Sequence, residues 1–314
     1  MNTDTTRREF SRLWAVGSSL PIISTMIGTR FAYAATNTPS DGAPRVVKLR
    51  DGTIVPALGQ GSAGLAEEKR PAAVEEKALR TGLSLGMTLI DTAEIYGSGR
   101  SEELVGRAIA GQRDRVFLVS KVHPDHAVGD GLARACEASL ARLNTDHLDL
   151  YLLHWRTGGT NLSGAVSGFE SLRTAGKIRA WGVSNFRVRD MEDLFRVPHG
   201  DRCATNQVLY NIAERGIERN LLPWCTRHGM PIMAYTPLGG SSLLRDPTLA
   251  RIGVARGCSA SAVALAWTIR SGNVIAIPRS GSPEHVEENA VAFSLALTPQ
   301  ELQILDGAHP LTGR

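Results

Sequence analysis

Three apolar runs in this chain of 314 residues end on side chains that can hold or move a proton. Met87–Ile90 closes on Asp91-Thr-Ala-Glu-Ile-Tyr96-Gly, which supplies a carboxylate, a phenol and a glycine turn. Phe117-Leu-Val-Ser-Lys121 ends on an amine, and Leu148-Asp-Leu-Tyr-Leu-Leu-His154 ends on an imidazole. A carbonyl reduced by hydride becomes an alkoxide and needs a proton at once. A phenol can donate it, although an ordinary pKa of about 10 makes it slow near neutrality. A neighbouring ammonium favours the phenolate and lowers that value, and a carboxylate can hold the ammonium in place. An imidazole can bind the carbonyl oxygen where negative charge develops. Asp91, Tyr96, Lys121 and His154 are therefore candidate catalytic residues, with Tyr96 and His154 also facing the substrate. Alone, a strand-end aspartate is commonly a loop cap and a strand-end lysine commonly points to water. Four such residues on three successive strands argue for a site.

The elements that must position them follow from the intervals. Asp91 to Lys121 spans thirty residues and Lys121 to His154 thirty-three, the length of one strand-plus-helix unit. Such units can bring the four side chains to one end of a parallel barrel. Strands are predicted at Ala57–Gly61, Thr88–Thr92, Val116–Val122, Leu148–His154, Ala180–Ser184, Ala204–Leu209, Pro231–Tyr235 and Val274–Ile277. Helices are predicted at Pro71–Leu85, Ser101–Ala110, Gly131–Leu143, through Phe169 and Leu172 to Gly176, around Met191–Phe195, and at Gly216–His228. Four more follow at Pro247–Arg256, Ser259–Ile269, Pro283–Ala292 and Pro299–Leu305. Eight alternating strands favour an α/β fold of the (β/α)8 TIM-barrel type over an open sheet. Arg45–Leu49 and Thr53–Leu58, joined through Asp51-Gly52, read as an N-terminal β-hairpin, and extra helices close the C-terminal end. Gly59-Gln-Gly61-Ser-Ala-Gly64 opens no immediate helix. It reads as a loop where backbone approaches a neighbour closely.

The formal charge of +4 is partly N-terminal: residues 1–34 carry four arginines, leaving 31 basic and 29 acidic residues beyond them. With no basic run in the body, a nucleic-acid partner is not expected. Cys136, Cys203, Cys225 and Cys258 form no Cys-x-x-Cys pair, so neither a disulfide framework nor a cysteine metal site is expected. His123-Pro-Asp-His126 has ligand-like spacing but reads as a polar loop, and no metal is expected. At the N-terminus, Arg7-Arg8 precedes a short, interrupted apolar run from Leu13 to Ile27 and the small residues Ala32-Tyr33-Ala34. This segment resembles a twin-arginine signal peptide with cleavage after Ala34. Residues 35–44 read as a linker and residues 45–314 as the barrel domain. The expectation is export to the periplasm through the twin-arginine machinery, with a cytoplasmic protein as the alternative and no membrane span in the mature form.

Further motifs carry a resemblance. Asp91–Gly97, Ser120-Lys121, Leu152-Leu153-His154-Trp155 and Gly176–Phe186 occur in order. Asn206-Gln207, Ala234-Tyr235-Thr-Pro237-Leu238 and Ile277-Pro278-Arg279-Ser280 continue the series. Over residues 45–310 the chain resembles the aldo-keto reductases. Cys203–Tyr210 and Leu221–Cys225 look like a bacterial subgroup that includes a methylglyoxal reductase. The resemblance implies NADPH bound in an extended form at the C-terminal face. Ser184, Asn185 and Gln207 would hold the nicotinamide carboxamide, and Tyr235 would stack on its ring, with Pro237 and Leu238 alongside. Arg279 and Ser280 would meet the adenosine 2′-phosphate, His285 would lie nearby, and Glu288 and Asn289 would lie near the adenine. Trp155 would sit at the substrate rim, with Arg156–Gly164 narrowing the opening. The family often has arginine where this chain has His285, which is only partly charged and cannot form a planar fork. NADPH is therefore expected to be preferred over NADH by a reduced margin. The expected activity is reduction of small aldehydes or 2-oxoaldehydes, and of some ketones or sugars, by a monomer. The alternative is a redox-sensing subunit similar to those of potassium channels.

Overall fold

The computed structural model describes residues 44–311, apart from residue 68. The signal-peptide reading and all of the linker except Pro44 lie outside the described residues. The chain opens with an antiparallel hairpin, β1 (Val46–Lys48) and β2 (Ile54–Pro56), turned at Gly52 with φ 92°. The Asp51 carboxylate accepts the Thr53 N–H at 2.9 Å, fixing the predicted turn.

Eight parallel strands follow: β3 (Gln60–Gly61), β4 (Leu89–Asp91), β5 (Phe117–Val122), β6 (Leu148–Leu153), β7 (Ile178–Ser184), β8 (Asn206–Leu209), β9 (Ile232–Tyr235) and β10 (Val274–Ala276). Each pairs with the next in chain order, as successive right-handed βαβ units require. Residues of β4 and β6 are buried throughout, which is why these strands read as unbroken apolar runs rather than alternating ones. The barrel is closed between its first and last strands. Gly59 N–H donates to Ala276 O at 2.8 Å and Gly61 N–H to Pro278 O at 2.9 Å, beside parallel bridges Leu58–Ala276 and Gly61–Arg279. A Cβ on Gly61 would stand 2.8 Å from the Ile277 carbonyl oxygen. The close approach expected of this glycine segment is thus the barrel seam.

The main outer helices are α1 (Ala72–Ser84), α2 (Arg100–Ile109), α3 (Gly131–Leu143), α4 (Leu162–Thr174), α5 (Val188–Arg196) and α6 (Leu221–Arg227). They continue with α7 (Ser241–Leu244), α8 (Pro247–Ala255), α9 (Ala260–Thr268), α10 (Pro283–Ala290) and α11 (Pro299–Ala308). Two expectations are corrected. The helix predicted over Gly216–His228 is broken: a 3-10 turn at Gly216–Arg219 precedes α6. Asn220 leaves helical geometry (φ −142°) and its side chain accepts the Leu221 N–H at 2.6 Å, starting a new helix. Ser101 does not begin α2. Gly99, left-handed at φ 90°, precedes the helix, and the Ser101 hydroxyl is buried against Ser62 Oγ at 2.8 Å. No single helix among the described residues is long and apolar enough to cross a membrane; α8 and α9 meet that test only as a pair bent by 98°.

Candidate active site

The strands deliver their polar ends to one face. Asp91 is the last residue of β4, Lys121 lies one residue before the end of β5, and His154 directly follows β6. Ser184 ends β7, Gln207 lies in β8, and Tyr235 ends β9. Tyr96 reaches the same mouth because Gly97, Ser98 and Gly99 are all left-handed (φ 56°, 56° and 90°), folding the chain back at once into α2.

The Lys121 side chain is fully buried. Its ammonium donates to Asp91 Oδ2 at 2.7 Å, to the Thr92 carbonyl at 2.9 Å and to Tyr96 Oη at 3.2 Å. Burial alone would push its pKa down, but Asp91 and Tyr96 outweigh that, and the ammonium is held charged. The other Asp91 oxygen accepts Gln207 Nε2 at 2.7 Å from across the barrel. Tyr96 departs from expectation. Burial pushes its hydroxyl above the ordinary value, Lys121 pulls it down only in part, and Asp91 raises it again. Burial is the main cause, and Asp91, paired with Lys121, adds to it. Tyr96 therefore keeps its proton at neutral pH.

The His154 ring packs edge-on to Tyr96, with centroids 5.7 Å apart. Burial, with Lys121 and His123 adding to it, pushes its pKa down to about 3, so the imidazole is neutral. Its Nδ1 is buried without a hydrogen-bond partner among the described residues. A neutral ring there can donate to or accept from a carbonyl compound but is no acid of its own. Trp155 packs against His154 at 4.9 Å and against His123 at 4.7 Å. Arg156 ties this segment to α5 through Asp190 and Asp193, each at 2.8 Å.

Sequence reasoning missed three supports. Glu94 Oε1 accepts the His123 N–H at 2.6 Å and meets His126 Nδ1 at 2.9 Å. The His-x-x-His segment thereby docks the Tyr96 turn onto the loop after β5. Among the described residues no group of three or more His, Cys, Asp or Glu could hold a metal ion. Glu102, buried in α2, accepts Ser120 Oγ and Arg142 Nε at 2.6 Å each, fixing β5 next to Lys121. Glu75, the third, holds the loop before α1: its Oε2 accepts the Ala66 N–H at 2.8 Å. Only the glutamate at 102, the second residue of a predicted helix, carried any hint in the sequence.

The expected cofactor residues fall in two groups, one at the strand ends and one before and along α10. Asn185, left-handed at φ 61°, donates to the His154 carbonyl at 3.2 Å and to Ser184 Oγ at 3.1 Å. The Tyr235 hydroxyl donates to Asn185 Oδ1 at 3.0 Å, placing its ring beside the mouth. Gln207 Nε2 is committed to Asp91, so its amide oxygen is the group left for a carboxamide. Pro237 is buried, and Leu238 is half-buried beyond it. At the far end, Arg279 forms no ion pair, His285 and Glu288 are exposed, and Asn289 is buried with no side-chain hydrogen bond among the described residues. Ser280 Oγ is engaged with Ser282, accepting its N–H at 3.2 Å and donating to its carbonyl at 3.1 Å. Unmet amide and guanidinium groups are of the kinds that hold a carboxamide and a phosphate of a nicotinamide dinucleotide. A separate depression lined by Ser163, Ser167, Glu170 and Arg202 lies along α4 and contains none of these residues.

Comparisons with known proteins agree with this geometry. The pattern of the Aldo/keto reductase family matches residues 57–309. The chain is 46% identical over 271 residues to methylglyoxal reductase YeaE of Escherichia coli K12, covering 85% of this chain and 95% of that protein. It is 33% identical over 279 residues to an aldo-keto reductase of Mycolicibacterium vanbaalenii, covering 86% and 94%. Among solved structures, an aldo/keto reductase of Klebsiella pneumoniae in complex with NADP and acetate superposes with a TM-score of 0.83 at 47% identity, covering 86% of this chain and 97% of that one.

Proposed function

The chain belongs to the aldo/keto reductase family, and we propose that it reduces small aldehydes and 2-oxoaldehydes such as methylglyoxal to alcohols with NADPH. Ketones and sugars are secondary candidates. The observation that carries this reading is the buried Asp91–Lys121–Tyr96 chain opening beside a neutral His154. Bound nicotinamide supplies the hydride. His154 orients the carbonyl oxygen and excludes water from one side of it. Tyr96, protonated at neutral pH, gives its proton to that oxygen as negative charge builds there. Lys121 stabilises the phenolate left behind, and Asp91 with Gln207 keeps Lys121 in place. Tyr235 and Asn185, joined by a hydrogen bond, hold the ring-binding wall.

NADP-bound relatives such as the Klebsiella protein support the cofactor choice. A panel of aldehydes, 2-oxoaldehydes, ketones and sugars, followed by NADPH consumption, tests the assignment. Sustained turnover of the small aldehydes is expected. A single stoichiometric oxidation of the cofactor would instead point to a sensor subunit, a reading that no contact in the site favours.

We further propose that residues 1–34 are a twin-arginine signal, residues 35–44 a linker, and residues 45–314 an exported, monomeric reductase of the periplasm. The support is the order of Arg7-Arg8, the interrupted apolar run and Ala32-Tyr33-Ala34. A route that carries folded proteins suits a chain that must capture its cofactor before leaving the cytoplasm.

A further inference from the structure

The segment before α1 and the segment before α10 exchange arginines. Arg279 reaches over the first segment: a Cβ on Gly64 would stand 2.9 Å from its Nη1. Arg70 runs the other way: a Cβ on Gly281 would stand 3.4 Å from its Cδ. The first contact depends on glycine, since a side chain at Gly64 would stand in the path of Arg279, whereas a Cβ on Gly281 would meet the Arg70 stem at van der Waals distance. Glu75 fixes the arrangement from below. One of its oxygens holds the Ala66 N–H at 2.8 Å, and the other would lie 3.2 Å from a Cβ on Gly281.

The charges around this junction are unevenly used. Glu67 is taken by Lys69 at 2.8 Å, while Arg70 and Arg279 form no ion pair among the described residues. Glu67 also sets a negative charge near Arg279, so a single guanidinium there would face an anion with little net charge. Ser280 is engaged with Ser282, and His285 offers no planar fork. A phosphate monoester carries a charge of about −1.5 to −2 near pH 7, more than one offset arginine neutralises. The N-terminus of α10 adds backbone dipole but no full charge.

Resting on the reading of the chain as an NADPH enzyme, we propose that Arg70 is the second arginine of the 2′-phosphate clamp. It comes from the loop before α1 and stands in for the missing arginine at His285. On this assignment the preference for NADPH over NADH does not suffer the reduced margin that His285 alone implies. Arg70 and Arg279 grip the phosphate from opposite sides, and Gly64 makes the room.

The test measures binding without a carbonyl substrate. NADPH, NADH and 2′,5′-ADP are titrated by protein fluorescence into the wild-type chain, Arg70→Ala and Arg70→Lys, at two salt concentrations. Arg70→Ala is expected to weaken NADPH and 2′,5′-ADP about tenfold or more, to flatten their salt dependence, and to move NADH less than twofold. Arg70→Lys is expected to fall between, because it keeps charge but loses the fork. Equal losses for NADPH and NADH, or a loss below twofold for both phosphate-bearing ligands, overturn the assignment while leaving the enzyme reading intact. Failure of the wild-type chain to bind any of the three overturns that reading and the assignment with it.

Discussion

The Lys121 ammonium stands 3.2 Å from the Tyr96 hydroxyl and 2.7 Å from the Asp91 carboxylate, so the acid of the site faces a cation that is already paired. Burial holds the Tyr96 hydroxyl above its ordinary value, and Asp91 adds to it. The pairing also divides the roles. Lys121 acts on the phenolate formed by the reaction more than on the resting phenol. Tyr96→Phe removes the proton and nothing that holds NADPH. Turnover of methylglyoxal should fall on the order of a hundredfold or more, while NADPH titration gives an unchanged affinity. Wild-type turnover in this variant would refute the role of Tyr96.

Removing Lys121 alone should do wider damage. Lys121→Met leaves Asp91 buried, with Gln207 Nε2 as its remaining side-chain partner. Breaking a buried pair in this way costs about 3–5 kcal/mol, whereas replacing both partners together can be close to neutral. The double variant Asp91→Asn with Lys121→Met should therefore recover most of the stability in urea unfolding, and none of the activity. A double variant as unstable as the single would mean that the pair stabilises the fold outright.

His154 makes the stability depend on pH in a definite direction. The unfolded chain binds a proton at this residue near pH 6.5, but the folded one resists until about 3 because the ring is buried. The unfolded state thus gains protons first as pH falls, and stability drops through that window. Above pH 6.5 neither state is charged and the effect vanishes. Between pH 6.5 and 5.0 the loss from this group is about 2 kcal/mol, at about 1.4 kcal/mol per unit. Urea melts of the wild type and His154→Gln should diverge by that amount over this range. Parallel pH profiles would show that the ring accepts a proton without penalty.

The barrel was legible because its strands are buried on both faces and recur at near-constant intervals, and because Asp91, Lys121 and His154 each terminate one. Tyr96 was legible through the glycine beside it. Contacts that close the ring were not legible. Gln207 meets Asp91 across 116 residues, and the Arg70 stem comes beside Gly281 from a distant segment. Neither leaves a periodic trace. The direction of the Tyr96 shift was misjudged for a related reason: sequence reveals which charges are near, while their burial and mutual pairing decide the balance. Gly216–His228 looked helical because its apolar positions are spaced for a helix, and only the Asn220 cap divides it.

Export can be examined independently of catalysis. If Arg7 and Arg8 are read by the twin-arginine machinery, replacing both by lysine keeps the charge but should hold the protein in the cytoplasm. Cell fractionation with NADPH-linked activity in each fraction measures this. Periplasmic activity equal to wild type would remove the signal assignment while leaving the chemistry of the barrel untouched.

The seam of the barrel offers a final check on how the site is held. Gly61 lies between β4 and the segment after β10, with the Ile277 carbonyl where a methyl group would go, 2.8 Å from the Cβ position. Backbone cannot yield there without lengthening the 2.9 Å bond from Gly61 to Pro278, which precedes Arg279. Gly61→Ala should therefore cost about 1–3 kcal/mol of stability, the usual penalty of overpacking, and should weaken NADPH more than it slows turnover at saturation. Gly216→Ala, where nothing lies within 4 Å of the added atom, is the matched control and should leave both unchanged. If Gly61→Ala melts with the wild type, the first and last strands are not locked together by this contact, and the position of Arg279 must be set by α10 instead.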